Sequence, residues 1–168
     1  MAEAMLRRLA AQAGVEAHVH SAGLLDDGNP ASPHGVEVLA GLGLDTSAHR
    51  SRRMTGDMIS GADLVLAMAR EHLREAVVSA PAAFPRTFTI KELVRRGEAA
   101  GPRSASEPLD RYLARLHEGR DRSSLLGVSD EDDVSDPYGT SLEAYRRTAA
   151  ELDDLTRRLA ALLWTGGM

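Results

Sequence analysis

The sequence predicts an α/β domain built on a small parallel sheet, and three observations support this. Residues 63–68 form an almost wholly apolar run, as in a strand covered on both faces. Residues 86–90 offer a second strand-like run. Between and around these runs, apolar residues recur at helical spacing, so strands and helices alternate, as in a sheet built from right-handed crossover units. Such a sheet carries its ligand at the carboxyl ends of its strands. At 168 residues the chain fits one domain with a substantial core.

The first helix places Met5, Leu6, Leu9 and Ala13 on one face and ends at Gly14, with no residue ahead of it to cap its first turn. Residues 17–21 (Ala-His-Val-His-Ser) read as a short strand, followed by Ala22-Gly23 and a polar loop through Asn29-Pro30. Ser32 caps a second helix with Pro33 at its first position; Val36, Leu39 and Leu42 are its apolar stripe. After the strand at 63–68 come a helix, the strand at 86–90 and a further helix. Residues 97–133 break this rhythm. They are rich in Gly, Pro, Ser, Arg and acids, hold one helical patch from 109 to 116, and read as a partly mobile polar insertion within the single domain. In the last helix Thr140 and Glu143 form a capping box. Tyr145, Leu152, Leu155, Leu159 and Leu162 follow at helical spacing up to Trp164.

Composition narrows the function. A net charge of −5 gives no basic footprint for nucleic acid. No apolar run approaches the roughly 20 residues that span a bilayer, and the acidic, small-residue N-terminus resembles neither a secretory signal nor a transit peptide. The 168 residues include no cysteine, which excludes disulfides, thiolate catalysis and Cys-ligated zinc from within them. His18 and His20 share one strand face, but two ligands without carboxylate or thiolate partners do not make a metal site. No cofactor or metal is expected. Lys91 is the only lysine among 20 basic residues, a bias of GC-rich bacterial genomes that makes the cytoplasm the expected location.

The stretch Asp133-Val134-Ser135-Asp136-Pro137-Tyr138-Gly139 carries the chemistry. An acid fixed by a following proline, with an aromatic beside it, suits a general acid aimed at the leaving group of a phosphate ester. The bland alternative is a turn, since Asp, Pro and Gly are turn formers. Order along the chain decides between them. Met1-Ala2-Glu3-Ala4 resembles the residues that follow a Cys-x5-Arg-Ser-Pro phosphate loop. His20-Ser21-Ala22-Gly23, Gly28-Asn29-Pro30 with Val36-Glu37-Val38-Leu39, Ala48-His49-Arg50-Ser51-Arg52, residues 63–68 with His72-Leu73, and Asp136-Pro137-Tyr138 follow in turn. Together they resemble the low-molecular-weight protein tyrosine phosphatases, whose fold is shared by thioredoxin-coupled arsenate reductases.

The resemblance implies a three-layer sandwich around a parallel sheet, and phosphate monoester hydrolysis through a phosphocysteine. In such enzymes a thiolate attacks phosphorus within a cradle of backbone N–H groups, an arginine grips the phosphate, and the acid protonates the leaving phenolate. By resemblance, Asp136 is the general acid, Tyr138 flanks the substrate ring, and Ser21 and His49 support the phosphate loop. The substrate would be a phosphotyrosine protein or another aryl phosphate. Gly139 stands where many relatives carry a second aromatic, and Leu24, Leu25, Asp26 and Asp27 stand where an aromatic wall often borders the substrate.

Cysteine and arginine of the phosphate loop have no counterpart here, nor does the first, central strand. The expectation is that Met1 corresponds to an internal methionine after that loop, that Ser21 and His49 face a void or solvent, and that the chain itself is inactive. Each backbone group left buried and unpaired by a lost central strand costs about 1–3 kcal/mol, against a domain stability of about 5–15 kcal/mol, so the 168-residue chain is also expected to express poorly or aggregate. Two further readings share the fold: a non-catalytic interaction remnant, and an arsenate reductase, which would require additional cysteines.

Overall fold

The computed structural model describes residues 1–164 except 26, 126 and 128. Helix α1 (Ala2–Gln12) begins directly at Met1, which offers no side-chain cap. Ser32 opens α2 (Pro33–Gly41), its hydroxyl accepting from the Gly35 N–H. A short α3 (Gly56–Gly61) leads to β1 (Val65–Ala67), which is followed by α4 (Arg70–Ser79), a 3-10 stretch (Pro81–Arg86) and β2 (Thr87–Thr89). Then come α5 (Ile90–Ala100), α6 (Leu109–His117) and the long α7 (Leu142–Leu163).

The two strands run parallel, with Val65 opposite Thr87, Leu66 opposite Phe88 and Ala67 opposite Thr89. Strand alternation sends these pairs to two different layers. Phe88 and Leu66 face the main core, which α1, α2, α5, α6 and α7 fill with Met5, Leu39, Leu93, Leu113, Leu155 and Leu159. Ala67 faces Leu73, Val77 and Phe84, and Val65 packs on Ile59, Ala76, Ala80 and Ala83. The sheet is thus sandwiched between helices, as the sequence predicts.

Two expectations about strands are corrected. Residues 17–21 form no strand: among the described residues this stretch has no ladder partner, the nearest bridge being that of Gly23 to Arg53, and Ala17, His18 and His20 are exposed. A strand persists by pairing and packing with neighbours, and here the Val19 carbonyl is taken instead by Arg7 Nε at 2.7 Å. The run 63–68 is covered on both faces but is less buried than expected: Leu64, Val65, Leu66 and Met68 remain half-exposed and only Ala67 is buried, because among the described residues β1 pairs with β2 alone and its other edge is open.

The last helix also starts differently from expectation. Ser141 rather than Thr140 is its cap, accepting from the Ala144 N–H at 3.3 Å. The Thr140 hydroxyl is diverted to the Pro137 carbonyl, closing the turn just before.

Candidate active site

The acid stretch leaves the sheet region on a bonded base and ends in an exposed tip. The Val134 N–H donates to the carbonyl of Met68, one residue past β1, at 2.7 Å. Thr148 of α7 donates its hydroxyl to the Ser135 carbonyl at 3.2 Å. Asp136 follows, exposed, its Oδ1 accepting from the Tyr138 N–H at 3.0 Å in an Asx turn. Pro137 is buried while Tyr138 is 75% exposed. The Thr140 N–H returns to the Pro137 carbonyl at 3.0 Å, and Gly139 sits inside this turn with φ +73°. An aromatic residue is strained in that left-handed backbone, which accounts for glycine at this position.

Ser21 and His49 are brought together by a residue that the sequence reading passed over. Glu3, in the first turn of α1, accepts a hydrogen bond from the Ser21 hydroxyl, pairs with Arg7 at 2.7 Å and lies 3.9 Å from His49 Nδ1. Its side chain is only 12% exposed. Ser21 and His49 therefore face the Glu3 carboxylate on one side while both stay partly open to solvent. The Met1 ammonium shares this corner. Burial holds its pKa below the ordinary value, although Glu3 pulls in the opposite direction. The sequence signal for Glu3 was modest: an i,i+4 partner for Arg7 and an acid in a helix's first turn.

Beside this cluster, residues 23–30 are laced to residues 50–54. The Gly23 N–H reaches the Arg52 carbonyl at 2.8 Å and the Gly28 N–H reaches Ser51 O at 2.9 Å. Ser51 N–H returns to Asn29 O at 2.8 Å, and Asp27 accepts from the Arg53 N–H. Leu25 stands 78% exposed on this loop, and Asp26 lies outside the described residues. Among the described residues no hydrogen bond or ion pair joins Asp136 or Tyr138 to Glu3, Ser21 or His49. No group of three or more potential metal ligands occurs among the described residues, and no helix there is long and apolar enough to cross a membrane.

The model of one family, low molecular weight phosphotyrosine protein phosphatase, matches residues 1–122. The chain belongs to this family. A protein-arginine-phosphatase of Bacillus subtilis is 30% identical over 165 residues, covering 97% of this chain and 87% of that protein. A probable low molecular weight protein-tyrosine-phosphatase of Ralstonia solanacearum is 38% identical over 93 residues, covering 55% of this chain and 62% of that protein. Among solved structures, the low molecular weight protein tyrosine phosphatase of T. tengcongensis superposes with a TM-score of 0.71 at 34% identity, covering 96% of this chain and 88% of its own. The low-molecular-weight phosphatase fold thus extends over nearly the whole chain. The family match itself includes Ser21 and His49, whereas Asp136 and Tyr138 lie beyond residue 122.

Proposed function

We propose that this phosphatase-family chain supplies the acid half of a protein phosphatase of the bacterial cytoplasm, and that its 168 residues alone do not turn over substrate. Asp136 is the general acid and Tyr138 flanks the departing group. Ser21 and His49, gathered by Glu3 at the start of α1, support the phosphate-binding side. The observation that carries the reading is Asp136 itself: a solvent-open carboxylate at the tip of a proline-fixed turn whose base is bonded beside the end of β1.

Proton donation needs this arrangement. A leaving phenolate is a poor leaving group until an acid reaches its oxygen, and a carboxyl on a fixed turn meets it without reordering. The attacking nucleophile is not among these residues, since none is cysteine. The substrate is a phosphorylated protein. Phosphotyrosine suits Tyr138 as a flanking ring. Phosphoarginine is the second reading, favoured by the likeness to a protein-arginine-phosphatase over 97% of the chain; there the same acid would protonate the guanidine nitrogen as the P–N bond breaks.

The test compares two proteins on an aryl phosphate and on phosphoarginine: the 168-residue chain, and the same chain fused behind an apolar strand and Cys-x5-Arg-Ser-Pro. The chain alone should give no turnover. The fused protein should turn over, with the preferred substrate identifying the leaving group, and Asp136→Asn should lower its rate by about 10²–10⁴-fold, as expected for loss of a general acid. Turnover by the 168-residue chain that disappears in Asp136→Asn would overturn the proposal, as would an active fused protein indifferent to that substitution.

A further inference from the structure

Two adjacent acids, Asp132 and Asp133, precede the acid loop, and neither touches the site described above. Both share one partner, Arg70. Asp132 is 5% exposed. Its Oδ2 accepts from Arg70 Nε at 2.9 Å and Nη2 at 2.7 Å, and its Oδ1 from Arg95 Nη2 at 2.9 Å. The carboxylate thus ties the start of α4 to α5. Asp133 takes the backbone of the same arginine: its Oδ1 accepts from the Arg70 N–H at 2.7 Å. That amide opens α4, whose own N-cap, Ala69, has no side chain able to serve it. Asp133 Oδ2 accepts from the Ser129 N–H at 3.0 Å, and the Asp133 carbonyl accepts from Lys91 Nζ at 2.7 Å.

Together with the bond from Val134 to Met68, these contacts fix the chain just before Asp136 to the junction of β1 and α4. The electrostatics agree with the geometry. Burial pushes the Asp132 carboxyl up, but the hydrogen bonds and charges of Arg70 and Arg95 outweigh it and hold the group below the ordinary carboxylate range. By contrast, Asp136 itself has one local turn bond and, among the described residues, no ion pair.

We propose that Asp132 and Asp133 are positioning residues for Asp136, gripping Arg70 by its guanidinium and its backbone N–H so that the acid loop is a fixed arm rather than a mobile one. The inference rests on reading Asp136 as the acid, but its test needs no turnover. Amide exchange and ¹⁵N relaxation would be measured on the 168-residue chain, its Asp132→Asn variant and an Asp154→Asn control at an exposed acid. In the parent, the Asp136 and Tyr138 amides should be as ordered as the core, with order parameters near about 0.85. In Asp132→Asn they should fall below about 0.6, and exchange protection of the Val134 and Arg70 amides should drop roughly tenfold or more. Leu93 and Leu155 should stay within about threefold of the parent, a local effect that general destabilisation does not give. Asp154→Asn should change none of these. Where Asp132→Asn does not fold, Arg95→Gln removes one partner and should give the same pattern in smaller measure. A parent tip already below about 0.6, an unchanged tip in the variant, or a loss spread evenly into α5 and α7 would each overturn the proposal. Asp136→Asn should leave the Val134 and Arg70 amides protected, so failure of the acid assignment and failure of the clamp give separate results.

Discussion

Replacing Arg120 with alanine should destabilise the fold by about 3 kcal/mol, although this residue lies in a stretch that the sequence marks as polar and irregular. Its side chain is 1% exposed, lying over Phe88 at 3.9 Å and over Phe84 at 4.7 Å. It grips both oxygens of Glu92, with Nε at 2.8 Å and Nη2 at 3.0 Å, and donates to the carbonyls of Thr87 at 2.8 Å and Phe84 at 3.2 Å. Burial lowers the guanidinium's pKa even though Glu92 pulls the other way, so the charge is held in place by its partners. Removing one member of a buried pair costs about 3–5 kcal/mol, because the other is left buried and unpaired. Glu92 keeps Arg96 Nε at 3.1 Å, which places the expected loss at the low end of that range. At about 2–4 °C per kcal/mol for a chain of this size, the midpoint should fall by about 6–12 °C. Urea and thermal unfolding followed by far-ultraviolet circular dichroism would measure it. The double variant Arg120→Met with Glu92→Leu should recover part of the loss, since it leaves no buried charge alone; Arg96 loses its Glu92 partner but is partly exposed and keeps the carbonyls of Leu116 and Glu118. A single-variant loss under about 1 kcal/mol would refute the claim that this cluster anchors α6 and the following chain to β2.

The remaining expectations concern pH and capping. His117 is held below its ordinary pKa of 6.5, chiefly by burial and then by the charges of Arg120 and Arg96. The unfolded chain therefore takes up the proton first, and stability should decline as pH falls below about 6.5 until the folded His117 also protonates. Urea midpoints at stepped pH should show this decline, and His117→Gln should remove that part of it. Asp132 acts lower: its contribution is present above the ordinary carboxyl value of 3.8 and lost as pH falls through its depressed folded value, so Asp132→Asn should lower stability slightly at neutral pH and flatten the acid limb. Ser141→Ala should cost about 1 kcal/mol as loss of the true cap of α7, more than Thr140→Ala, as thermal melts would show.

How much of this was legible in the sequence depends on whether a residue's role is set by its neighbours in the chain or by neighbours in space. The strands at 65–67 and 87–89, the Ser32-Pro33 start of α2 and the buried stripe of α7 were readable, because each is written in local period and capping chemistry. The acid turn was readable for the same reason, since Asp-Pro-Tyr-Gly specifies its own geometry. Residues 17–21 failed because alternation states only that a segment can pair, and pairing requires a strand beside it. The partners of Glu3, Asp132, Asp133 and Arg120 were not readable for a different reason. Each is a charged residue in a polar context, and what distinguishes it is a partner far along the chain: Ser21 is 18 residues from Glu3, Arg70 is 62 from Asp132, and Glu92 is 28 from Arg120. A surface ion pair and a buried clamp have the same letters, and only desolvation separates them energetically. The apolar pattern therefore reveals the frame of this phosphatase-family fold, while the polar residues that tie its helices and loops together become visible only when the frame has folded around them.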